Sequence, residues 1–132
     1  MDKKFLKKII AQSTEDLQII SACCSEAKVK ISDIKYLPSS KIFLISLLRF
    51  DRENENNKNS INSIIKFEFI ESSKSKNIDQ NNTNILLELL AIDIFKREQN
   101  FEITLLFSEN RFITLTTEVI EATLEDQKLE ND

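Results

Sequence analysis

The sequence predicts an α+β fold in which one N-terminal helix packs on a curled antiparallel sheet or roll of six to seven strands. Three patterns support this prediction. Apolar and polar residues alternate in several segments after residue 28, as is typical of strands. Apolar residues recur at helical spacing in one segment near the N-terminus. Two of the strand segments are apolar on both faces, which indicates a sheet covered on both sides.

The clearest strand pattern predicts a β-hairpin. Apolar residues alternate with polar ones over Phe101–Phe107 and again from Ile113 to Val119. The polar segment Ser108–Arg111 separates the two runs and contains Asn110, a residue type that tolerates a left-handed backbone. The remaining strands are expected to pair beside this hairpin. The segment 119–126 fits either a strand or a helical turn.

The predicted helix covers about residues 14–26. Ser13 to Asp16 resembles a capping box, in which Ser13 accepts a hydrogen bond from the first turn and Asp16 reaches back. The apolar stripe that follows consists of Leu17, Ile20, Cys24 and Ala27. Residues 1–12 form either a basic arm or a short strand.

The other predicted strands cover residues 28–37, 41–51, 61–72 and 86–95, and the polar segment 52–60 is expected to be an exposed loop. In the last of these strands, one row holds Leu87, Leu89, Ala91 and Phe95, and the other holds Leu90, Ile92 and Ile94. One short helix covers only part of such rows. We therefore predict that an apolar sheet face meets a partner, either a second copy in a homodimer or another protein.

Composition excludes several classes of function. The chain has no glycine, which excludes the P-loop and the Rossmann fingerprint, and no histidine, which excludes the Ser–His and Cys–His nucleophile pairs. The net charge of −4 argues against a nucleic-acid partner. No segment is long and apolar enough for a transmembrane helix, and the basic N-terminus lacks a signal-peptide core. We predict a cytoplasmic protein without a cofactor or a membrane partner.

Two sets of residues are candidate sites. Arg49, Asp51 and Glu53 alternate at the end of a predicted strand, so they share a face and form a candidate binding patch for an anion or a partner. The alternative is a solvated strand end in which the charges pair with one another. Cys23 and Cys24 are neighbours, and neighbours on a helix cannot form a relaxed disulfide. We interpret Cys24 as a small core residue and expect neither redox nor metal chemistry there.

The acidic residues offer weaker candidates. Carboxylates at Glu118, Glu121, Glu125 and Asp126 suit a hard cation, but they lack the loop pattern of an EF-hand, and we interpret them as a solvated acidic strand edge. Asp93 lies within an apolar strand, where we expect it to point to solvent or to pair with a lysine.

The chain also resembles a known family. The resemblance covers nearly the whole chain and rests on Glu15–Leu17, Tyr36–Pro38, Arg49–Asp51, Leu89–Ile92 and Glu118–Ala122. On these motifs the chain is similar to domain-of-unknown-function family 2948, a group of small bacterial proteins. It departs from the family pattern at Leu48–Glu53 and in the hairpin turn, where the family has glycines. The resemblance implies no activity and no site.

The sequence thus predicts one domain over residues 1–132, ending in an acidic tail at 127–132. Its predicted function is that of a non-enzymatic cytoplasmic binding or protein-interaction module. Two alternatives remain open: an enzyme that uses carboxylates alone, and an RNA-associated accessory protein that uses the N-terminal lysines. The lysines of that arm are Lys3, Lys4, Lys7 and Lys8.

Overall fold

The computed structural model describes residues 6–50 and 60–127, which form one helix packed on an antiparallel sheet. This confirms the predicted fold class. The predicted strand number is wrong, because the sheet has ten strands instead of six to seven, and it is not closed. The elements are β1 (Lys8–Ala11), α1 (Thr14–Cys23), β2 (Ala27–Lys30), β3 (Ile34–Leu37), β4 (Ile42–Phe50), β5 (Ser60–Phe67), β6 (Ile70–Lys76), β7 (Leu86–Lys96), β8 (Phe101–Phe107), β9 (Arg111–Thr117) and β10 (Ala122–Asp126).

The strands follow one continuous path through the sheet. Their order is β1-β10-β5-β4-β2-β7-β8-β9-β6, and β3 pairs with β4 beside this path. The start of β6 is tied to the β3–β4 turn, since the Ile70 amide donates to the Lys41 carbonyl at 2.8 Å. The Tyr36 hydroxyl on β3 donates to the Ile70 carbonyl at 2.9 Å. These bonds bend the two halves of the sheet toward each other around a common core.

A corner divides the segment that the sequence predicts as one strand over residues 61–72. Strand β5 ends at Phe67, and Phe69 has a left-handed backbone with a φ of 62°. This turn leaves Phe69 53% exposed and buries Ile70, so the inward and outward positions exchange places. As a result β5 pairs with β4 and β10, whereas β6 pairs with β9 in the other half of the sheet.

Besides the strand added by this corner, three more strands raise the total above the predicted six to seven. The predicted strand 28–37 is interrupted by a 3₁₀ turn at Ile31–Asp33, which agrees with a break in its alternation near Asp33. Strand β2 pairs with β7, and β3 pairs with β4. The ambiguous segment 119–126 contains strand β10, which lies between β5 and β1. Within the segment 1–12, predicted as a basic arm or a short strand, residues 8–11 form the short strand β1. Residues 1–5, 51–59 and 128–132 lie outside the described residues.

The helix begins and ends close to the predicted positions. Ser13 is the N-cap, and its hydroxyl accepts a hydrogen bond from the Asp16 amide at 3.1 Å. The Asp16 carboxylate accepts from the Gln12 amide at 3.2 Å, one residue before the expected capping-box partner. The helix packs on β1 and β7. The predicted stripe Leu17, Ile20, Cys24 and Ala27 is fully buried, although Ala27 belongs to β2.

A β-bulge corrects the two predicted rows of β7. Pairing with β8 shifts between Leu89 and Ala91, so Leu90 is an extra residue. The buried row is therefore Leu87, Leu89 and Ile92, whereas Leu90 is exposed. The bulge frees the Ile92 amide, which donates to the Ser21 hydroxyl of α1 at 2.9 Å. The predicted rows fail because the bulge changes the phase of alternation halfway along the strand.

The predicted hairpin is confirmed as β8 and β9, which pair from Phe101 with Thr117 to Phe107 with Arg111. At the turn, Glu109 and Asn110 have φ values of 63° and 58°, so the chain reverses without glycine. Of the helices in the described part of the chain, none combines the length and the apolar character needed to cross a membrane.

Candidate functional site

A buried ion pair lies where the inward-facing rows of side chains on the strands β4, β5 and β10 come to an end. Arg49 ends the row of β4, and Asp126 ends the row of β10. Ser63 on the intervening strand β5 pairs in register with Asp126. The side chains of Arg49 and Asp126 are 4% and 0% exposed. The strand register therefore brings together two charges that are 77 residues apart in the sequence.

The Asp126 carboxylate is fully engaged by the groups around it. Arg49 donates one hydrogen bond to each carboxylate oxygen, from Nε to Oδ1 at 2.9 Å and from Nη2 to Oδ2 at 2.7 Å. The Ser63 hydroxyl donates to Oδ1 at 2.6 Å, and the Lys7 amide donates to Oδ2 at 2.8 Å. These contacts join the N-terminal segment, β4, β5 and β10 at one point.

These contacts also shift the pKa values of the pair. Burial alone would raise the pKa of Asp126, but the hydrogen bonds from Arg49, Ser63 and the Lys7 amide lower it below its usual value. The hydrogen bond to Asp126 raises the pKa of Arg49 despite its burial. Both groups are charged at neutral pH, and each is satisfied by the other. The geometry is that of a structural pair without room for a ligand.

This pair bears on two of the predicted sites. Asp51 and Glu53 lie outside the described residues, so the patch of Arg49, Asp51 and Glu53 stays a prediction, with the guanidinium of Arg49 bound to Asp126. The interpretation of Asp126 as part of a solvated acidic edge is wrong, because the carboxylate is buried against an arginine.

The remaining acidic residues of that edge do not converge. The Glu125 carboxylate lies 4.0 Å from the Lys8 ammonium, and the Glu121 carboxylate accepts from the Gln12 amide group at 3.1 Å. Within residues 6–50 and 60–127, no group of three or more Cys, Asp or Glu side chains is placed to hold a metal ion.

The two cysteines are free thiols in different environments. Cys24 is buried in the core, and Cys23 is half-buried. Burial, and to a smaller extent the neighbouring Cys23, raises the pKa of the Cys24 thiol to about 12. Since the thiolate is the reactive form, both the burial and the raised pKa of Cys24 disfavour its reaction at neutral pH. This agrees with its interpretation as a core residue.

A cleft opens where β3 and β6 diverge. Its volume is about 420 Å³, its floor includes Phe43 and Ile113, and its rim carries the hydroxyls of Ser32, Ser73 and Ser75. Among the described residues that line it, none is charged. The lining therefore offers hydrogen bonds and apolar contact but no acid or base.

The outer face of the half-sheet β7-β8-β9-β6 carries exposed and half-buried apolar side chains, and we call it the Phe95 face. It forms a shallow groove of about 320 Å³. Phe95 is 56% exposed, and Leu106 and Phe112 are half-buried beside it. The side chains that line the groove include Asp93, Phe95, Thr104, Leu106, Phe112, Thr114, Lys74 and Lys76.

The charges of the Phe95 face lie at its edges. Asp93 on β7 is exposed, as we predict from the sequence, and lies at one edge. Lys74 and Lys76 on β6 lie at the opposite edge. On the central strands β8 and β9, the outward residues between them are threonines and apolar side chains, apart from Glu102, whose carboxylate accepts from the Arg97 guanidinium at 3.0 Å. Apart from the ion-paired Glu102, the charges of this face lie at its edges, and a polar rim around a less charged centre is typical of protein interfaces.

Comparison with known proteins yields a family and one similar fold. The model of the family described as "Protein of unknown function (DUF2948)" matches residues 7–131, which confirms the resemblance found in the sequence. The structure is similar to the crystal structure of an uncharacterized protein from Neisseria gonorrhoeae, with a TM-score of 0.46 and 15% identity over 90% of this chain and 97% of that one. No curated protein matches the chain significantly.

Proposed function

The chain belongs to the DUF2948 family, and we propose that it acts as a non-enzymatic cytoplasmic module that binds a protein partner through the Phe95 face. The observation that carries this proposal is the exposure of Phe95 on a sheet face whose central strands carry one charged side chain, Glu102, paired with Arg97. An aromatic side chain that is 56% exposed loses favourable burial unless a partner covers it. Apolar groups at the centre and charges at the rim are what a docking protein requires.

The chemistry of the other candidate sites supports a binding role over a catalytic one. A carboxylate-only enzyme needs two carboxyl groups that face one substrate from opposite sides. The cleft between β3 and β6 is lined by neutral side chains, and the buried Asp126 carboxylate is bound to Arg49, Ser63 and the Lys7 amide. Neither arrangement provides a free acid or base next to an open cavity.

Site-directed photo-crosslinking tests this proposal. A photoreactive phenylalanine analogue replaces Phe95 in one variant and Leu37 in a matched control, because Leu37 is also an exposed apolar residue but lies on β3. We expect irradiation of expressing cells to give protein adducts from position 95 and none above background from position 37. Equal adduct yields from the two positions, or none from position 95, would overturn the proposal. Mass spectrometry of the adduct identifies the partner.

A further inference from the structure

We infer that the partner of the Phe95 face is a second copy of this chain, related to the first by a two-fold axis. The inference rests on the proposed function, since it names the occupant of the same face. Its basis is the order of side chains across the half-sheet, which the strand register fixes. Under a two-fold rotation, that order places unlike charges opposite each other.

The register defines three outward rows across the four strands, and the third of them holds Phe95, Glu102, Thr116 and Ser72. In the first row, Asp93 on β7 is followed by Thr104, Thr114 and Lys74 on β8, β9 and β6. In the second row, the corresponding residues are Ala91, Leu106, Phe112 and Lys76. The first two rows therefore run from β7 through an uncharged centre to a lysine on β6, and only the first row begins with an acid. The third row has Glu102 in its centre and ends at Ser72.

A two-fold axis that lies between β8 and β9 and runs nearly parallel to them reverses the order of each row in the second copy. Asp93 of one copy then lies opposite Lys74 of the other, and the same contact occurs a second time by symmetry. Thr104 lies opposite Thr114, and Leu106 lies opposite Phe112. Packed sheets lie about 10 Å apart with strands turned by about 30°, a separation that an extended lysine bridges to an aspartate. The rotation thus places Asp93 opposite Lys74 and Leu106 opposite Phe112, whereas Phe95 lies opposite Ser72 and Glu102 lies opposite Thr116.

The outer face of the other half-sheet does not offer the same match. Its central strands β10 and β5 carry Glu125 and Lys66, so ionic groups occupy the middle of that face. Glu125 already pairs with Lys8 on the same face. Charged residues at an interface centre must be desolvated, which opposes association. The central strands of the Phe95 face carry one charged side chain, Glu102, which is paired with Arg97, so fewer charges are desolvated when a second copy covers this face.

The size of the Phe95 face sets the expected strength of the dimer. Four strands spaced by about 4.8 Å and about seven residues long span roughly 19 by 23 Å. A standard interface buries about 800 Å² per partner, and this face lies below that area. We therefore expect a reversible dimer with a dissociation constant on the order of 10–100 μM.

Sedimentation equilibrium of charge-reversed variants tests the inference. In Asp93→Lys alone, both symmetry-related contacts become lysine against lysine, and in Lys74→Glu alone they become glutamate against aspartate. Each single variant should weaken the dimer by about tenfold or more at low salt. An equimolar mixture of the two variants should associate again, because a mixed dimer restores unlike charges at both contacts.

Matched controls separate this effect from a general effect of charge. Lys35→Glu on β3 and Glu15→Lys on α1 reverse exposed charges of the same kinds outside the Phe95 face and should leave association unchanged. Circular dichroism of every variant confirms that it is folded.

Each of three outcomes overturns the second-copy inference. They are a wild-type chain that is strictly monomeric at about 200 μM, single variants that associate like the wild type, and a mixture that associates no better than its components. Failure of the inference leaves the proposed function intact if position 95 crosslinks to a different protein. If that position gives no adduct, both fail.

Discussion

Replacing Asp126 by asparagine removes the charge from the buried pair with little change in volume. The amide keeps one acceptor oxygen, which can still receive the hydrogen bonds that Arg49 Nε and the Ser63 hydroxyl now donate to Oδ1. The new NH₂ group faces two other donors, Arg49 Nη2 and the Lys7 amide, at the position of Oδ2. Both donors lose their acceptor, and the Arg49 charge stays buried without a partner.

The expected loss follows from these contacts. Breaking a buried ion pair by removing one partner destabilises proteins by about 3–5 kcal/mol. The two orphaned donors account for a similar amount, since each unsatisfied buried group costs about 1–3 kcal/mol. A domain of this size is stable by about 5–15 kcal/mol, so Asp126→Asn removes a large share of the total. Arg49→Met combined with Asp126→Asn should cost less than the sum of the two single changes, because no unpaired charge then remains.

Urea unfolding at pH 7 measures this loss. With a denaturant slope of about 1–3 kcal/mol per molar, the unfolding midpoint of Asp126→Asn should fall by about 2 M. The matched control Asp93→Asn changes an exposed carboxylate and should alter the free energy of unfolding by less than about 0.5 kcal/mol. A loss below about 1 kcal/mol for Asp126→Asn would refute the reasoning, because that is the range of a solvated surface pair.

The same pair predicts how stability depends on pH. The pKa of Asp126 is lowered in the folded state, whereas in the unfolded chain it lies near the ordinary value of about 3.9. The contribution of the carboxylate is therefore fully present above about pH 5 and is lost as the pH falls through the lowered folded-state pKa. The difference in stability between wild type and Asp126→Asn should shrink below about pH 4. A constant difference down to about pH 2 would contradict the assignment.

Three further predictions test the core and the bulge. Cys24 should not react with a thiol reagent at pH 7 until the protein unfolds, and rapid modification in the folded state would contradict its burial. Leu89→Lys should abolish folding or lower the free energy of unfolding by more than about 4 kcal/mol, because Leu89 is only 1% exposed. Leu90→Lys should change the free energy of unfolding by less than about 0.5 kcal/mol, because Leu90 is 45% exposed. Circular dichroism during urea unfolding distinguishes the two variants. Ser21→Ala leaves the Ile92 amide without its acceptor and should destabilise the protein by about 1–3 kcal/mol in the same assay, and a neutral effect would show that this hydrogen bond is dispensable.

Local patterns in the sequence predict the fold class and the clearest elements. The capping residue Ser13 and the stripe that contains Leu17 and Ile20 act over one or two helical turns, so spacing alone identifies α1. The hairpin of β8 and β9 is likewise local, since its strands are joined by a short polar turn. Both elements were predictable because their partners are neighbours in the chain.

The strand number was not predictable in the same way, because single residues change the phase of alternation. Phe69 continues the apolar pattern of β5, but its left-handed backbone turns it outward and starts β6 on a different partner. Leu90, the extra residue at the bulge of β7, also shifts the phase of alternation. An alternating pattern records where apolar residues are and gives no sign of a positive φ at a residue other than glycine.

The buried ion pair left a signal in the sequence that has two interpretations. Arg49 continues the inward row of Ile45 and Leu47, and Asp126 continues the row of Ala122 and Leu124. A charge at an inward position is either buried with a partner or placed where the strand leaves the core. Only the register of β10, β5 and β4 decides this, because it places Asp126 opposite Ser63 and Arg49 opposite Ile61, the next inward position of β5.

Nuclear magnetic resonance of the wild-type chain during dilution tests the central claim most directly. Amide resonances of β7, β8 and β9 are followed from about 500 μM to about 10 μM, a range that spans the expected dissociation constant. The account predicts concentration-dependent shifts at Asp93, Thr104, Leu106 and Phe112 on the Phe95 face, and constant shifts at Lys66 on the other half-sheet. Constant shifts across the Phe95 face, or changes confined to the strands around Lys66, would contradict it.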